Sequence, residues 1–126
     1  MNTTEVCDWV ELAAHDAGTA ELLLRDEKYP DIAIYHMHQC IEKLLKALII
    51  KNELNFDKTH ALDRLLAEIA RVYPQVEAER TSVIKIHNYL PKIRYPYGDR
   101  IDLTQARELF PCFDFLKNML MQLANG

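Results

Sequence analysis

Glycine is scarce in this chain, with three among 126 residues. A phosphate-cradling loop or a dinucleotide fingerprint needs several glycines close together, so neither can be built, and no Gly-x-Ser-x-Gly turn is present. Cysteine is sparse and odd in number (Cys7, Cys40, Cys112), and no Cys-x-x-Cys or His-Glu-x-x-His spacing occurs. These cysteines read as free thiols of a reducing cytosol, and no metal and no cofactor is expected. Basic residues do not dominate: 15 Lys and Arg stand against 19 Asp and Glu, a net charge of −4. Any contact with nucleic acid would therefore need a local cationic patch. The chain lacks an apolar run of about 18 residues, so no membrane span is expected. Its start, Met1 to Glu5, has neither a basic beginning nor an apolar core, which argues against a signal peptide. The expected location is cytoplasmic. Alternating runs are missing too, and no Asn-Gly hairpin signal joins two of them, which removes the signals of a sheet.

What is present is Leu, Ala, Ile, Glu and Lys, with 49% of residues apolar and 27% charged. That composition predicts one all-α domain over residues 1–126, an antiparallel up-and-down bundle of four to five helices. The first helix is expected from about Thr4 to Leu24, capped by Thr3 or Thr4, with Trp9, Leu12, Ala13, Asp16, Ala20, Leu23 and Leu24 on its inner stripe. Asp16 breaks that stripe. It is either an edge carboxylate or a charge aimed at a cation of a neighbouring helix. Asp31 is placed to cap a second helix running to about Lys51. Thr59 or His60 caps a third, with Ala61, Leu62, Leu65, Leu66, Ile69 and Val72 inward, and Tyr73-Pro74 stops it. A fourth covers about Val76 to Tyr89, with Val83, Ile84 and Ile86 in its pattern. Leu90 to Arg100, holding two prolines and a glycine, reads as loop. The last helix starts near Asp102–Thr104, where Asp102 and Gln105 have capping-box spacing. Leu109, Phe113, Leu116 and Leu120 form its stripe, and Pro111 should kink or break it.

The second helix is the most informative segment. Ala33, Ile34, Met37, Cys40, Ile41, Leu44, Leu45, Ala47 and Leu48 fall on one apolar arc at 100° per residue. Tyr35, His36, Gln39, Glu42, Lys43 and Lys46 fall opposite, a mixture richer than a merely solvated face. Glu42 and Lys46 should pair at i, i+4. His36 and Cys40 share a face, but no carboxylate completes a metal set there, and His38 points elsewhere. The segment Lys92 to Arg100 packs three cations among two tyrosines. Arginine can grip a phosphate bidentately and a tyrosine ring can stack a base. The alternative is a structured turn in which the tyrosines pack inward and the arginines cap a helix or pair with Asp99.

Taken in order, Trp9, Ala13, Asp16 and Ala20; Ala33-x-x-His36-x-x-Gln39-x-x-Glu42-Lys43-x-x-Lys46-Ala47; Thr59-His60-x-Leu62; and Arg94-Tyr95-Pro96 resemble the HEPN domain family of prokaryotes over nearly the full chain. The resemblance implies a helical bundle that forms a homodimer. It also implies a nucleotide- or RNA-related role beside a minimal nucleotidyltransferase; some members are ribonuclease toxins of toxin–antitoxin pairs. Ligand-binding positions are then expected at His36, Gln39, Lys43, Lys46, Arg94 and Tyr95. Asp16, Tyr35, Glu42 and His60 are expected in structural or interface roles. The ribonuclease members carry Arg, four to six residues, then His. After Arg94 the corresponding positions hold Asp99, Arg100 and Ile101, so the general acid–base group is missing from its expected place and the chain leans towards a non-enzyme. Arg80 and His87 match the spacing, one that chance produces roughly once in such a chain. Ala61 stands where many members have Asp. A purely structural helical partner is the remaining alternative.

Overall fold

The computed structural model describes residues 3–54 and 61–126. Among the described residues the chain is helical and forms no strand. The elements are α1 (Thr3–Arg25), α2 (Pro30–Lys51), α3 (Leu62–Ala70), a 3-10 turn (Pro74–Glu79), α4 (Arg80–His87), α5 (Leu90–Arg94) and α6 (Leu103–Asn125).

Two helix ends are set by backbone rather than by glycine. At the end of α1, Glu27 takes φ 56. Its N–H bonds the Leu24 carbonyl, and the Lys28 N–H reaches back to Leu23 at 2.9 Å. The end of α2 repeats the motif with Glu53 at φ 53 and the Leu54 N–H on the Ile49 carbonyl. Both are Schellman closures, which normally place Gly at the left-handed position. The turn after α1 is short, so α2 returns antiparallel beside it. Asp31 does not cap α2, because Tyr29 in a left-handed conformation is the N-cap residue and Pro30 opens the helix. Proline suits that place, where an N–H would have no intrahelical partner. Asp31 is left in the first turn, on the favourable side of the helix dipole.

The apolar arc of α2 is buried along its whole length, and burial continues past it to His38, Glu42 and Lys46. α2 is thus the central helix, with α1 against one side and α3, α4 and α6 against the rest. Lys51 Nζ donates to the Leu123 and Ala124 carbonyls, so the ends of α2 and α6 coincide. Arg107 near the start of α6 donates to the Leu24 carbonyl at the end of α1. α6 therefore runs parallel to α2 and antiparallel to α1. Asn52 meets the Tyr73 hydroxyl just beyond α3, while Ala61, just before α3, lies beside His87 and Arg94. α3 therefore descends alongside α2 instead of opposing it, and the 3-10 turn, α4 and α5 make the return. The simple up-and-down order expected from the sequence is broken at this point.

The expected fourth helix is divided. Pro74 opens a 3-10 turn and regular helix begins only at Arg80. Leu90–Arg94 is helical, although it was expected to be loop. Pro91 falls in its first turn, where its missing N–H costs nothing. Pro96 forces Tyr95 into extended backbone and ends it. Of the kink or break expected at Pro111, the break does not occur, since α6 is continuous across it. The carbonyl deprived of a donor belongs to Arg107, an exposed residue. The Asp102–Gln105 capping box is formed in both directions, at 2.8 and 3.0 Å. Three residues placed on inner stripes, Leu12, Val72 and Ile84, are instead exposed, while Val6 and Ala17 are buried. Of the thiols, Cys40 is buried, Cys112 intermediate and Cys7 exposed. The caps expected at Thr59 or His60, and the role given to His60, lie outside the described residues.

Candidate functional site

Asp16 is buried, and it is the charge aimed at a neighbouring helix. His36 Nδ1 donates to Asp16 Oδ1 at 2.7 Å and Lys43 Nζ donates to Oδ2 at 2.5 Å. The two donors are seven residues apart, two helical turns, so one carboxylate on α1 can take both from the same edge of α2. One turn further on, Lys46 pairs with Glu42 at 3.4 Å, and its ammonium sits 5.7 Å from the centre of the Trp9 ring. Tyr35 packs edge-on against His36. The polar face of α2 is thus largely consumed within the chain, by α1. His36, Lys43 and Lys46 line neither of the two hollows that Arg94 walls. Deep in the same region the Cys40 thiol is pushed up to about 12, by burial first and then by the Asp16 carboxylate.

Gln39 and His38 belong to a different cluster. The Gln39 side-chain nitrogen lies 3.4 Å from His38 Nδ1, and His38 Nε2 lies 2.9 Å from His87 Nδ1, with the two rings stacked. One assignment satisfies both contacts: Gln39 donates to His38, His38 donates to His87, and a neutral His87 then carries its proton on Nε2. His87 lines an open hollow of about 530 Å³ whose other walls include Ala61, Leu90, Pro91, Arg94 and Tyr95. Arg80, by contrast, is clamped by Glu77 through two 2.7 Å bonds. Its partner in the sequence match, His87, lies two turns along α4, about 10 Å by helical rise.

A second hollow, of about 430 Å³, shares Arg94 and Tyr95 with the first. Tyr29, Lys92, Tyr97 and Arg100 complete its basic and aromatic wall, and Asp31 and Asp99 supply two carboxylates. The inward-packed alternative is not what forms. Tyr95 and Tyr97 are 58% and 80% exposed, and among the described residues Lys92, Arg94 and Arg100 make no ion pair or side-chain hydrogen bond. His38 was not singled out by the sequence. Its partner is 49 positions away, and only the packing of α4 on α2 joins them. Among the described residues no group of three or more possible metal ligands is found, and no helix is long and apolar enough to cross a membrane.

Comparison with known proteins agrees with this architecture. A protein of Methanocaldococcus jannaschii that bears the name "Putative toxin MJ1304" is 32% identical over 85 residues, which are 68% of this chain and 53% of that protein. The chain thus spans about half the length of that relative. No solved structure matches it. The HEPN domain matches residues 6–122, from the first turns of α1 to the last turn of α6, and the chain belongs to the HEPN domain family.

Proposed function

We propose that this chain is a nucleotide- or RNA-binding member of its family, acting as a homodimer beside a minimal nucleotidyltransferase in a toxin–antitoxin type of pair. The observation that carries the reading is the cleft between Tyr29 and Ile101, where Lys92, Arg94 and Arg100, which make no ion pair or side-chain hydrogen bond among the described residues, stand beside three exposed tyrosines. A chain of net charge −4 keeps no basic field overall, so uncommitted cations gathered in one concavity give it the local patch that phosphate binding requires. The name borne by the Methanocaldococcus jannaschii relative supports a toxin-type context. Phe115, exposed on α6 beside Met119 and Gln122, offers apolar surface of the kind a second copy covers.

The test is fluorescence anisotropy of an end-labelled RNA across a salt series. Three phosphate contacts on a single strand give a slope of about −2 in log affinity against log salt, a loss on the order of 20-fold between 50 and 200 mM. A flat salt response, or no binding at 50 mM, removes the reading. Sedimentation should give a dimer at micromolar concentration. An adjacent gene for a small nucleotidyltransferase favours the pairing, while an unrelated neighbourhood favours a helical scaffold.

A second reading, metal-independent endoribonuclease, is favoured by one observation: His87 and Arg94 wall the same hollow. The histidine precedes the arginine in the chain, the reverse of the family order, and comes from another helix. An Nε2 proton on His87 could be given to a leaving oxygen while Arg94 steadies the phosphate. RNA cleavage in the presence of chelator, lost in both His87→Ala and Arg94→Ala, is the expected result. Cleavage unchanged in either variant rules this reading out.

A further inference from the structure

The backbone around Pro96 prepares a slot between two rings. Tyr95 is extended, at φ −128 and ψ 143, and a residue before proline is held there. Proline in turn fixes its own φ. In extended chain the side chains of residues i and i+2 leave from the same side, about 6.6 Å apart. Tyr95 and Tyr97 obey this: their ring centroids are 6.4 Å apart and their planes differ by 14°. Gly98 follows at φ +80, a conformation only glycine takes without strain, and turns the chain so that Asp99 and Arg100 come back along the same hollow. A flat base sandwiched between two rings needs about 7 Å, two stacking steps of roughly 3.4 Å. The observed centroid spacing is just short of that, and both rings are exposed.

We infer that Tyr95 and Tyr97 clasp one unpaired nucleobase while Arg94, Arg100 and Lys92 hold its phosphate. The ligand class is therefore a single-stranded nucleotide unit, not duplex RNA and not a bare anion. This deepens the proposed nucleotide or RNA binding and rests on it. The chemistry of the walls agrees. A hollow of about 430 Å³ falls in the usual range for sites that take ligands of this size. The two carboxylates, Asp31 and Asp99, partly offset the three cations, so a multiply charged inorganic ion gains little there. The same carboxylates can accept hydrogen bonds from the amino group of a base. A base inside a duplex has both faces stacked and cannot enter the slot.

The experiment uses RNA hexamers carrying one 2-aminopurine, whose emission falls on stacking. Four further probes accompany them: the same hexamer made abasic, its duplex, 2-aminopurine riboside monophosphate, and inorganic phosphate. Quenching is expected with the single-stranded hexamer and not with the duplex. Tyr97→Ala should weaken hexamer binding roughly 5- to 150-fold, the span of one lost base–aromatic stack, and abolish the quenching. Tyr97→Phe should restore both. Tyr97 is almost fully exposed, so neither substitution threatens the fold. Quenching by the monophosphate identifies a free nucleotide as sufficient, whereas quenching by the hexamer alone identifies a strand, and either outcome supports the clasp. If the abasic hexamer binds as tightly as the normal one, or Tyr97→Ala changes nothing while Arg94→Ala abolishes binding, the clasp is refuted and phosphate binding stands. If no oligonucleotide binds at low salt, both fall together.

Discussion

Replacing Asp16 should cost this protein a large part of its stability, although no apolar packing is removed. The carboxylate is 7% exposed and accepts two hydrogen bonds from groups that carry or can carry positive charge, at 2.7 and 2.5 Å. A hydrogen bond to a charged partner contributes about 1.5–3 kcal/mol, and deleting one member of a buried pair costs about 3–5 kcal/mol because the other is stranded. His36 and Lys43 each keep about a quarter of their side-chain surface in water, so they are stranded only in part. An intermediate loss of about 2–4 kcal/mol is expected for Asp16→Ala, against a total of about 5–15 kcal/mol for a domain of this kind. Urea unfolding followed by circular dichroism at 222 nm should show the midpoint falling by about 1–2 M with an unchanged slope. In a Lys43→Met background the same substitution should cost less, since the ammonium is no longer left behind. A loss under about 0.5 kcal/mol, or an equal loss in both backgrounds, would falsify the claim that this ion pair fastens α1 to α2.

Asp102→Ala should destabilise by about 1 kcal/mol, through loss of the bond that caps the first turn of α6. Lys51→Met should lose a similar amount, because its ammonium serves two carbonyls at the end of α6 at 2.6 and 3.2 Å. Cys40 should resist iodoacetamide at pH 8 while Cys7 reacts, and unfolding in urea should abolish the difference; early labelling of Cys40 in the native protein would contradict its burial. With the folded thiol near 12 and the unfolded one near 9.0, the unfolded chain gives up its proton first as pH rises. This group's contribution to stability is therefore complete below about pH 9 and declines towards pH 12, and Cys40→Ala should flatten that part of a pH–stability curve.

Helix identity was legible wherever an apolar period met no competing signal. The α2 arc and the Leu109, Phe113, Leu116 and Leu120 stripe of α6 are buried as their spacing predicts. Proline misled in both directions, because its effect depends on what its ring and missing N–H touch. Pro91 permits helix in a first turn, Pro111 sits inside a helix that stays continuous, and Pro74 converts the start of a helix into a 3-10 turn. Among the candidate site residues, periodicity put His36 and Lys43 on one edge of α2, and their common partner Asp16 stood out as the polar residue on an apolar stripe. The His38–His87 contact was invisible. It depends on where α4 docks, and α4 begins later than its pattern suggested. The Lys92–Arg100 segment was legible in composition but not in orientation. Two readings fitted the same residues, and the exposure of Tyr95 and Tyr97 separates them.

Where ligand chemistry can reside follows from what the polar groups already do. A residue committed to a buried partner has to give that partner up before it can hold a ligand, and for Asp16 the cost of separation is comparable to the energy of a good ligand contact. His36 and Lys43 are committed in this way to Asp16 of α1, and Lys46 and Glu42 to each other within α2. That polar face therefore gives the bundle register more readily than it gives it a site. Lys92, Arg94 and Arg100 have no such commitment among the described residues, and the short α5 with the Pro96 and Gly98 turns holds them at one end of the bundle. A ligand there displaces water alone, with most of the backbone ordering already done by proline. On the proposed reading, the end of the bundle where the regular helices give way is thus the place where a phosphate and its base would meet the least resistance.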